Sequence, residues 1–102
     1  MDRKVIWADA ALSDLESAAE FISKDSPAYA AAFVLQSLES ANSLNDLAER
    51  GRVVPEFKDE TIREIFVHSY RLIYHIEDER VAILALIHGR RHFNTAWSER
   101  KR

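Results

Sequence analysis

The sequence predicts an α+β domain in which a pair of helices lies on one small sheet. Apolar residues recur at helical spacing in the first half of the chain, whereas the second half holds three short runs rich in β-branched and aromatic residues. The length of 102 residues, with 47% hydrophobic and 30% charged residues, fits one globular domain over residues 1–102. We expect its core at about residues 4–93 and a basic C-terminal tail at 94–102.

The N-terminal half predicts one strand followed by a helix hairpin. Residues 4–7 (KVIW) are short, β-branched and aromatic, as is typical of a strand. Asp9 opens an amphipathic helix, and Ser26 and Pro27 supply the N-cap and the first position of a second helix. We expect Gly51 to end this second helix, because glycine accepts a positive φ. The short connection between the helices predicts antiparallel packing.

The C-terminal half predicts three antiparallel strands. Residues 52–60 contain a proline and are expected to form a loop. Strands over 61–68, 70–76 and 81–87 then follow one another closely, and such short connections predict an antiparallel meander. Residues alternate in polarity along 70–76, which predicts that Arg71 lies on the strand face opposite to Tyr70 and Tyr74. The run 81–87 is apolar on both faces, which is typical of a central strand. A short helix is expected from about Asn94, so the predicted order is β-α-α-β-β-β.

Charge is distributed unevenly along the chain. Residues 1–60 contain six Lys or Arg and twelve Asp or Glu, whereas residues 61–102 contain eight and five, giving balances of −6 and +3. The basic excess lies near the C-terminus, where it could contact phosphate or an acidic partner segment. For residues 100–102 we expect only a solubilising tail.

The composition also excludes several kinds of site. Cysteine is absent, which excludes disulfides, thiolate metal sites and cysteine nucleophiles. The four histidines do not have the spacing of zinc ligands, so we expect no metal and no cofactor. The longest uninterrupted apolar run has eight residues, at 28–35, which is too short to cross a bilayer. We therefore expect a soluble cytoplasmic protein without a membrane partner.

Four segments in this element order resemble the RelE/ParE superfamily of toxins. They are GRVVPE at 51–56, REI at 63–65, YRLIY at 70–74 and HGRR at 88–91. The resemblance spans about residues 4–93 and is closer to ParE than to RelE. It implies a cytoplasmic toxin of a bacterial type II toxin–antitoxin module, held by a cognate antitoxin in a hetero-oligomer. The antitoxin is expected to cover apolar surface along the helix hairpin and an edge strand.

The resemblance leaves the target open. RelE-like and YoeB-like members cleave mRNA in the ribosome, whereas ParE-like members poison DNA gyrase. The YoeB-like pattern implies Glu56, Arg71 and His92 as catalytic residues, with the histidine acting as acid or base. The RelE-like pattern is incomplete, because its two lysine positions match Ile62 and Glu64.

We favour the gyrase interpretation because the spacing of these segments resembles ParE more than RelE, and because the net charge of the protein is negative. An acidic protein is repelled by the phosphates of ribosomal RNA. In this interpretation Arg71, Arg90, Arg91 and Trp97 are the residues that contact the target. The sequence equally allows Arg71 to be a structural residue paired with an acid such as Glu64. A third hypothesis is an inactive relative that only binds an antitoxin.

Overall fold

A computed structural model describes residues 2–100 as a five-stranded sheet with helices on both faces, which confirms the predicted α+β class. The strands are β1 (Lys4–Trp7), β2 (Arg52–Val53), β3 (Ile62–Val67), β4 (Tyr70–Ile76) and β5 (Arg80–His88). The helices are α1 (Asp9–Ser23), α2 (Pro27–Asn42) and α3 (Phe93–Glu99). Among these residues no helix has the length and apolar character needed to cross a membrane.

The sheet is mixed, in the order β1-β5-β4-β3-β2. Strands β3, β4 and β5 form the predicted antiparallel meander, with Leu72 opposite Ile65 on one side and Leu86 on the other. The N-terminal strand β1 runs parallel to β5, pairing Val5 with Val81. Parallel neighbours need a long crossover, and the helix hairpin lies within the segment that supplies it. Strand β5 is therefore internal, as its apolar pattern predicted.

The helix hairpin packs on one face of the sheet and creates the larger core. The predicted start of α2 is confirmed, because the Ser26 hydroxyl accepts the Tyr29 N–H at 3.1 Å and Pro27 occupies the first helical position. Fully buried side chains of α1, α2, β4 and β5 fill the space between the layers: Ala11, Phe33, Leu72, Tyr74 and Ile83.

The second helix ends earlier than the sequence predicted. It stops at Asn42, and two 3-10 turns within residues 43–50 lead to Gly51. Gly51 has a φ of −81°, so the prediction of a positive-φ helix terminator was wrong. Glycine is needed here for space, because a Cβ would lie 2.4 Å from the Tyr74 hydroxyl oxygen and 2.6 Å from the Glu64 carbonyl oxygen.

The predicted loop over residues 52–60 begins with a strand. Arg52 lies opposite Glu64, and Val53 lies opposite Arg63, so β2 adds two residues to the edge of β3. The sequence gave no sign of this pairing, since two residues are too few for a period-two pattern.

The C-terminal segment packs on the domain. Helix α3 begins one residue before the predicted start and buries Phe93 and Ala96 against the second face of the sheet. Arg100 Nε donates to Asp14 Oδ2 at 2.8 Å, and the arginine side chain is only 12% exposed. The expectation of a solubilising role was wrong for Arg100, because α1 neutralises its charge. Residues 101–102 lie outside the described residues.

Replacing Gly51 by alanine should destabilise the fold, because the new methyl group meets backbone that cannot move aside. We expect a loss of about 1–3 kcal/mol in the free energy of unfolding, measured by urea denaturation. Gly89→Ala is the control, since its Cβ would meet only Ser69 O, at 3.0 Å, and should cost less. Equal losses would contradict the steric explanation at residue 51.

Candidate functional site

Arg71 lies at the centre of the sheet face that α3 covers. It is the second residue of β4, and strand alternation places it on the side of Ile73, away from Tyr70 and Tyr74, as predicted. The residue is 8% exposed. A cation that has lost this much water needs oppositely charged partners to remain stable.

Two carboxylates bind the Arg71 guanidinium. Its Nε donates to Glu64 Oε1 at 2.6 Å. Its Nη2 and Nη1 donate to Glu56 Oε1 and Oε2 at 2.8 and 3.3 Å. Each of the three guanidinium nitrogens therefore has a carboxylate acceptor, and the fork to Glu56 is a strong, geometrically specific contact.

Glu64 is a buried acid shared by two arginines. The residue is 1% exposed, and its second oxygen accepts from Arg52 Nε at 2.6 Å. The sheet creates this arrangement, because Glu64 on β3 lies directly opposite Arg52 on β2 and diagonally from Arg71 on β4. The side chain of Arg52 is 60% exposed, so the buried positive charge that balances Glu64 comes from Arg71.

These contacts shift the pKa values of both partners of the Arg71–Glu56 pair. The hydrogen bond from Arg71 lowers the pKa of Glu56 below its ordinary value of 4.5. Burial alone would lower the pKa of Arg71, but hydrogen bonds to Glu56 and Glu64 outweigh it and raise that pKa overall. Both groups are charged at neutral pH, and a carboxylate with a lowered pKa is a poor general base.

Aromatic rings cover the outer side of the ion pair. The guanidinium carbon of Arg71 lies 4.7 Å from the centroid of the Phe93 ring. Phe93 stacks on Trp97 with centroids 5.7 Å apart, and Phe57 contacts both rings edge-on at 5.6 and 5.2 Å. The cluster keeps water from one face of the guanidinium, which strengthens its attraction to the carboxylates. Trp97, a predicted target contact, is a half-buried member of this cluster.

His92 points to its own helix. Its Nδ1 accepts the Thr95 N–H at 3.4 Å and lies 3.2 Å from the Thr95 hydroxyl oxygen, so it caps α3. Within residues 2–100 no hydrogen bond or ion pair joins it to Glu56 or Arg71. The fold thus brings two residues of the predicted nuclease set into contact and gives the third a capping role.

The remaining predicted contacts lie in the loop between β5 and α3. Arg90 is exposed, and its N–H donates to His88 Nδ1 at 3.0 Å. Arg91 Nη2 donates to Glu99 Oε1 at 2.6 Å, but the two side chains are 52% and 62% exposed. Such a surface pair contributes about 1 kcal/mol or less, so Arg91 can exchange it for a partner's acid at little cost.

Sequence reasoning missed Arg52 as a second partner of Glu64 and Phe93 as a cover for Arg71. One signal was available: Arg71 is the one Lys, Arg, Asp or Glu residue within β4, and Glu64 is the one acid within β3. Among the described residues, no group of three or more His, Cys, Asp or Glu could hold a metal ion.

Comparison with known proteins finds relatives that match almost the whole domain. Residues 5–93 match the family described as ParE toxin of type II toxin–antitoxin system, parDE. The chain is 33% identical over 89 residues to Toxin RelE2 of Caulobacter vibrioides, covering 86% of this chain and 97% of that relative. A structure titled chromosomal ParDE TA system from P. aeruginosa has a similar fold, with a TM-score of 0.69, 17% identity, and coverage of 84% of this chain and 95% of that one.

Removing Arg71 should cost far more stability than removing Arg52, although both bind Glu64. Arg71→Ala leaves a buried carboxylate with only an exposed partner, and we expect a loss of about 3–5 kcal/mol in the free energy of unfolding. Arg52→Ala is the matched control and should cost about 1 kcal/mol or less. Chemical denaturation of both variants measures the difference, and similar small losses would show that Arg71 is not structural.

The Arg71–Glu56 contact should make stability fall in acid. Because the folded pKa of Glu56 lies below the unfolded value of 4.5, its contribution is fully present above that pH and is lost as the pH falls through the folded pKa. Glu56→Gln keeps the shape and removes the charge, so it should flatten the acid fall of the Tm. Thermal melts from neutral pH downward test this, and parallel curves for the two proteins would contradict it.

Proposed function

Because the chain belongs to the ParE toxin family of type II toxin–antitoxin systems, we propose that it arrests growth by inhibiting DNA gyrase and that a cognate antitoxin neutralises it. Gyrase is the target that the ParE-like resemblance implies. In this proposal Arg71 is a structural residue. The target contacts are Arg90, Arg91 and the half-buried Trp97.

The proposal rests on one observation: the guanidinium of Arg71 is already bound by two carboxylates. An arginine that stabilises a scissile phosphate must offer N–H donors to the charge that develops there. All three guanidinium nitrogens of Arg71 already donate to Glu56 and Glu64, and Phe93 covers one face. Turning this group to a phosphate would break a largely buried ion pair, which typically costs about 3–5 kcal/mol.

The proton-transfer groups also support a target that is bound and not cleaved. RNA cleavage without a metal needs a base for the 2′-hydroxyl and an acid for the leaving oxygen. The lowered pKa of Glu56 weakens it as a base, and His92 caps α3. The net charge of −3 adds repulsion from ribosomal RNA.

A YoeB-like, ribosome-dependent mRNA nuclease is the second candidate. The contact between Glu56 and Arg71 favours it, because that pattern requires both residues at one site. It also requires His92 to leave its capping contact and reach the same site. The inactive relative remains the third hypothesis, and growth arrest on expression separates it from both toxins.

The purified protein should inhibit supercoiling by DNA gyrase and leave reporter mRNA intact during cell-free translation. Arg90→Glu with Arg91→Glu should weaken gyrase inhibition about tenfold or more, because the substitutions reverse two exposed charges at the proposed interface. His92→Ala is the control and should inhibit as the native protein does.

Primer extension on the reporter mRNA decides between the candidates. Ribosome-dependent cleavage that is lost in His92→Ala would replace the gyrase proposal by the nuclease. Expression without growth arrest would leave only the antitoxin-binding role.

A further inference from the structure

The outer edge of β5 is only partly covered by a neighbouring strand. Strand β1 pairs with β5 from Arg80 to Ile83, and the chain then leaves the sheet as Ala8 N–H donates to Ile83 O at 2.9 Å. Beyond Ile83, no strand within residues 2–100 pairs with this edge, although β5 continues to His88. A strand edge with unpaired backbone groups is a ready template for another chain.

Two side chains take the place of a strand along the first part of this open edge. Asp14 Oδ2 accepts the Leu86 N–H at 3.0 Å, and Arg100 Nη2 donates to the Leu84 carbonyl oxygen. The two side chains are also ion-paired with each other at 2.8 Å. Because groups two residues apart on a strand point the same way, the Leu86 C=O and the His88 N–H also point outward.

The outward backbone groups of β5 that have no partner are arranged as in a parallel ladder. The Leu86 N–H is occupied by Asp14, and the His88 C=O accepts the Arg91 N–H at 3.0 Å. This leaves the Leu86 C=O and the His88 N–H. In a parallel ladder, a single residue of the added strand donates its N–H to the C=O of residue 86 and accepts the N–H of residue 88 at its own C=O. The pair fits an extended residue opposite Ile87, in a segment that runs in the direction of β1.

A groove of about 540 Å³ lies beside these groups. Ala18 and Phe21 of α1 form its apolar wall, and Arg91 lines the side nearer α3. Phe21 is 66% exposed, and an exposed aromatic side chain beside open backbone groups is typical of an interaction surface. Strand alternation in an added segment would turn the residue opposite Ile87 toward Arg91 and its two neighbours toward Ala18 and Phe21.

We propose that an extended segment of the antitoxin adds to this edge as a parallel strand, an inference that rests on the proposed function. The segment has an acidic residue opposite Ile87, which pairs with Arg91, and an apolar residue on each side. Arg91 is available because its contact with Glu99 is a pair between exposed side chains. A second copy of this chain does not fit, because two-fold symmetry pairs identical edges antiparallel.

The opposite edge of the sheet is the competing location. Strand β2 covers β3 only at Arg63 and Glu64, which leaves Phe66 54% exposed. The guanidinium carbon of Arg52 lies 5.6 Å from the centroid of the Phe66 ring and covers part of it. By alternation with Glu64, the Phe66 N–H and C=O also point outward, so this edge offers two open backbone groups, as β5 does. The groove beside Phe21 and the accessible Arg91 favour β5.

The experiment measures binding of the full chain to the product of the adjacent gene, the expected antitoxin. Phe21→Asp should weaken binding about tenfold or more, because it places a charge in the apolar wall of the groove. Phe66→Asp is the matched control, an exposed phenylalanine on the opposite edge, and should bind as the native protein does. Amide exchange followed by NMR should slow at His88 in the complex and stay unchanged at Phe66.

The outcomes separate this inference from the proposed function. Binding that is lost in Phe66→Asp, or protection at Phe66 in place of His88, would overturn the β5 assignment and leave the antitoxin proposal intact. Absence of a complex would overturn both. Slow amide exchange at His88 in the protein alone, together with a dimer in solution, would assign the groove to a second copy of this chain.

Discussion

The burial of Glu64 is the constraint on which the rest of this structure depends. A carboxylate at 1% exposure is tolerated only when cations and hydrogen bonds replace its water. Arg52 and Arg71 supply them from β2 and β4, so one side chain joins three strands. Gly51 belongs to the same unit, because its N–H donates to the Tyr74 hydroxyl at 3.0 Å and its missing Cβ leaves room for the Glu64 backbone. Three of the four segments that carry the family resemblance, 51–56, 63–65 and 70–74, meet at this point.

This constraint also determines where the protein can act. Because Arg71 is held by two carboxylates and covered by Phe93, the sheet centre is an interior supported by α3. The groups that we propose for binding lie at the periphery, in the loop of Arg90 and along the open edge of β5. Open backbone groups, accessible arginines and an exposed aromatic residue such as Phe21 are features of surfaces that bind other proteins, as the proposed function requires.

The sequence predicted what local patterns determine. Strand alternation correctly separated Arg71 from Tyr70, and Ser26 before Pro27 marked a helix start. What it could not predict depends on residues far apart in the chain. Gly51 is required by Tyr74, and Arg100 is neutralised by a residue 86 positions earlier, and neither relation leaves a trace in local spacing. The site was half predictable for the same reason. The pairing of Arg71 with Glu64 was one of the sequence alternatives and is present, whereas its contacts with Glu56 and Phe93 join residues 15 and 22 positions apart.

The ion pairs of the fold explain why charge is distributed unevenly along the sequence. An acidic first part and a basic last part suggest a phosphate-binding surface when they are considered separately. In the fold they neutralise each other: Arg71 pairs with Glu56, and Arg100 pairs with Asp14. Cations committed to such internal pairs add little to a surface field that would attract a polyanion. The charge pattern therefore organises the domain, and Arg91, one of the basic residues left at the surface, lines the edge that we propose for an acidic segment.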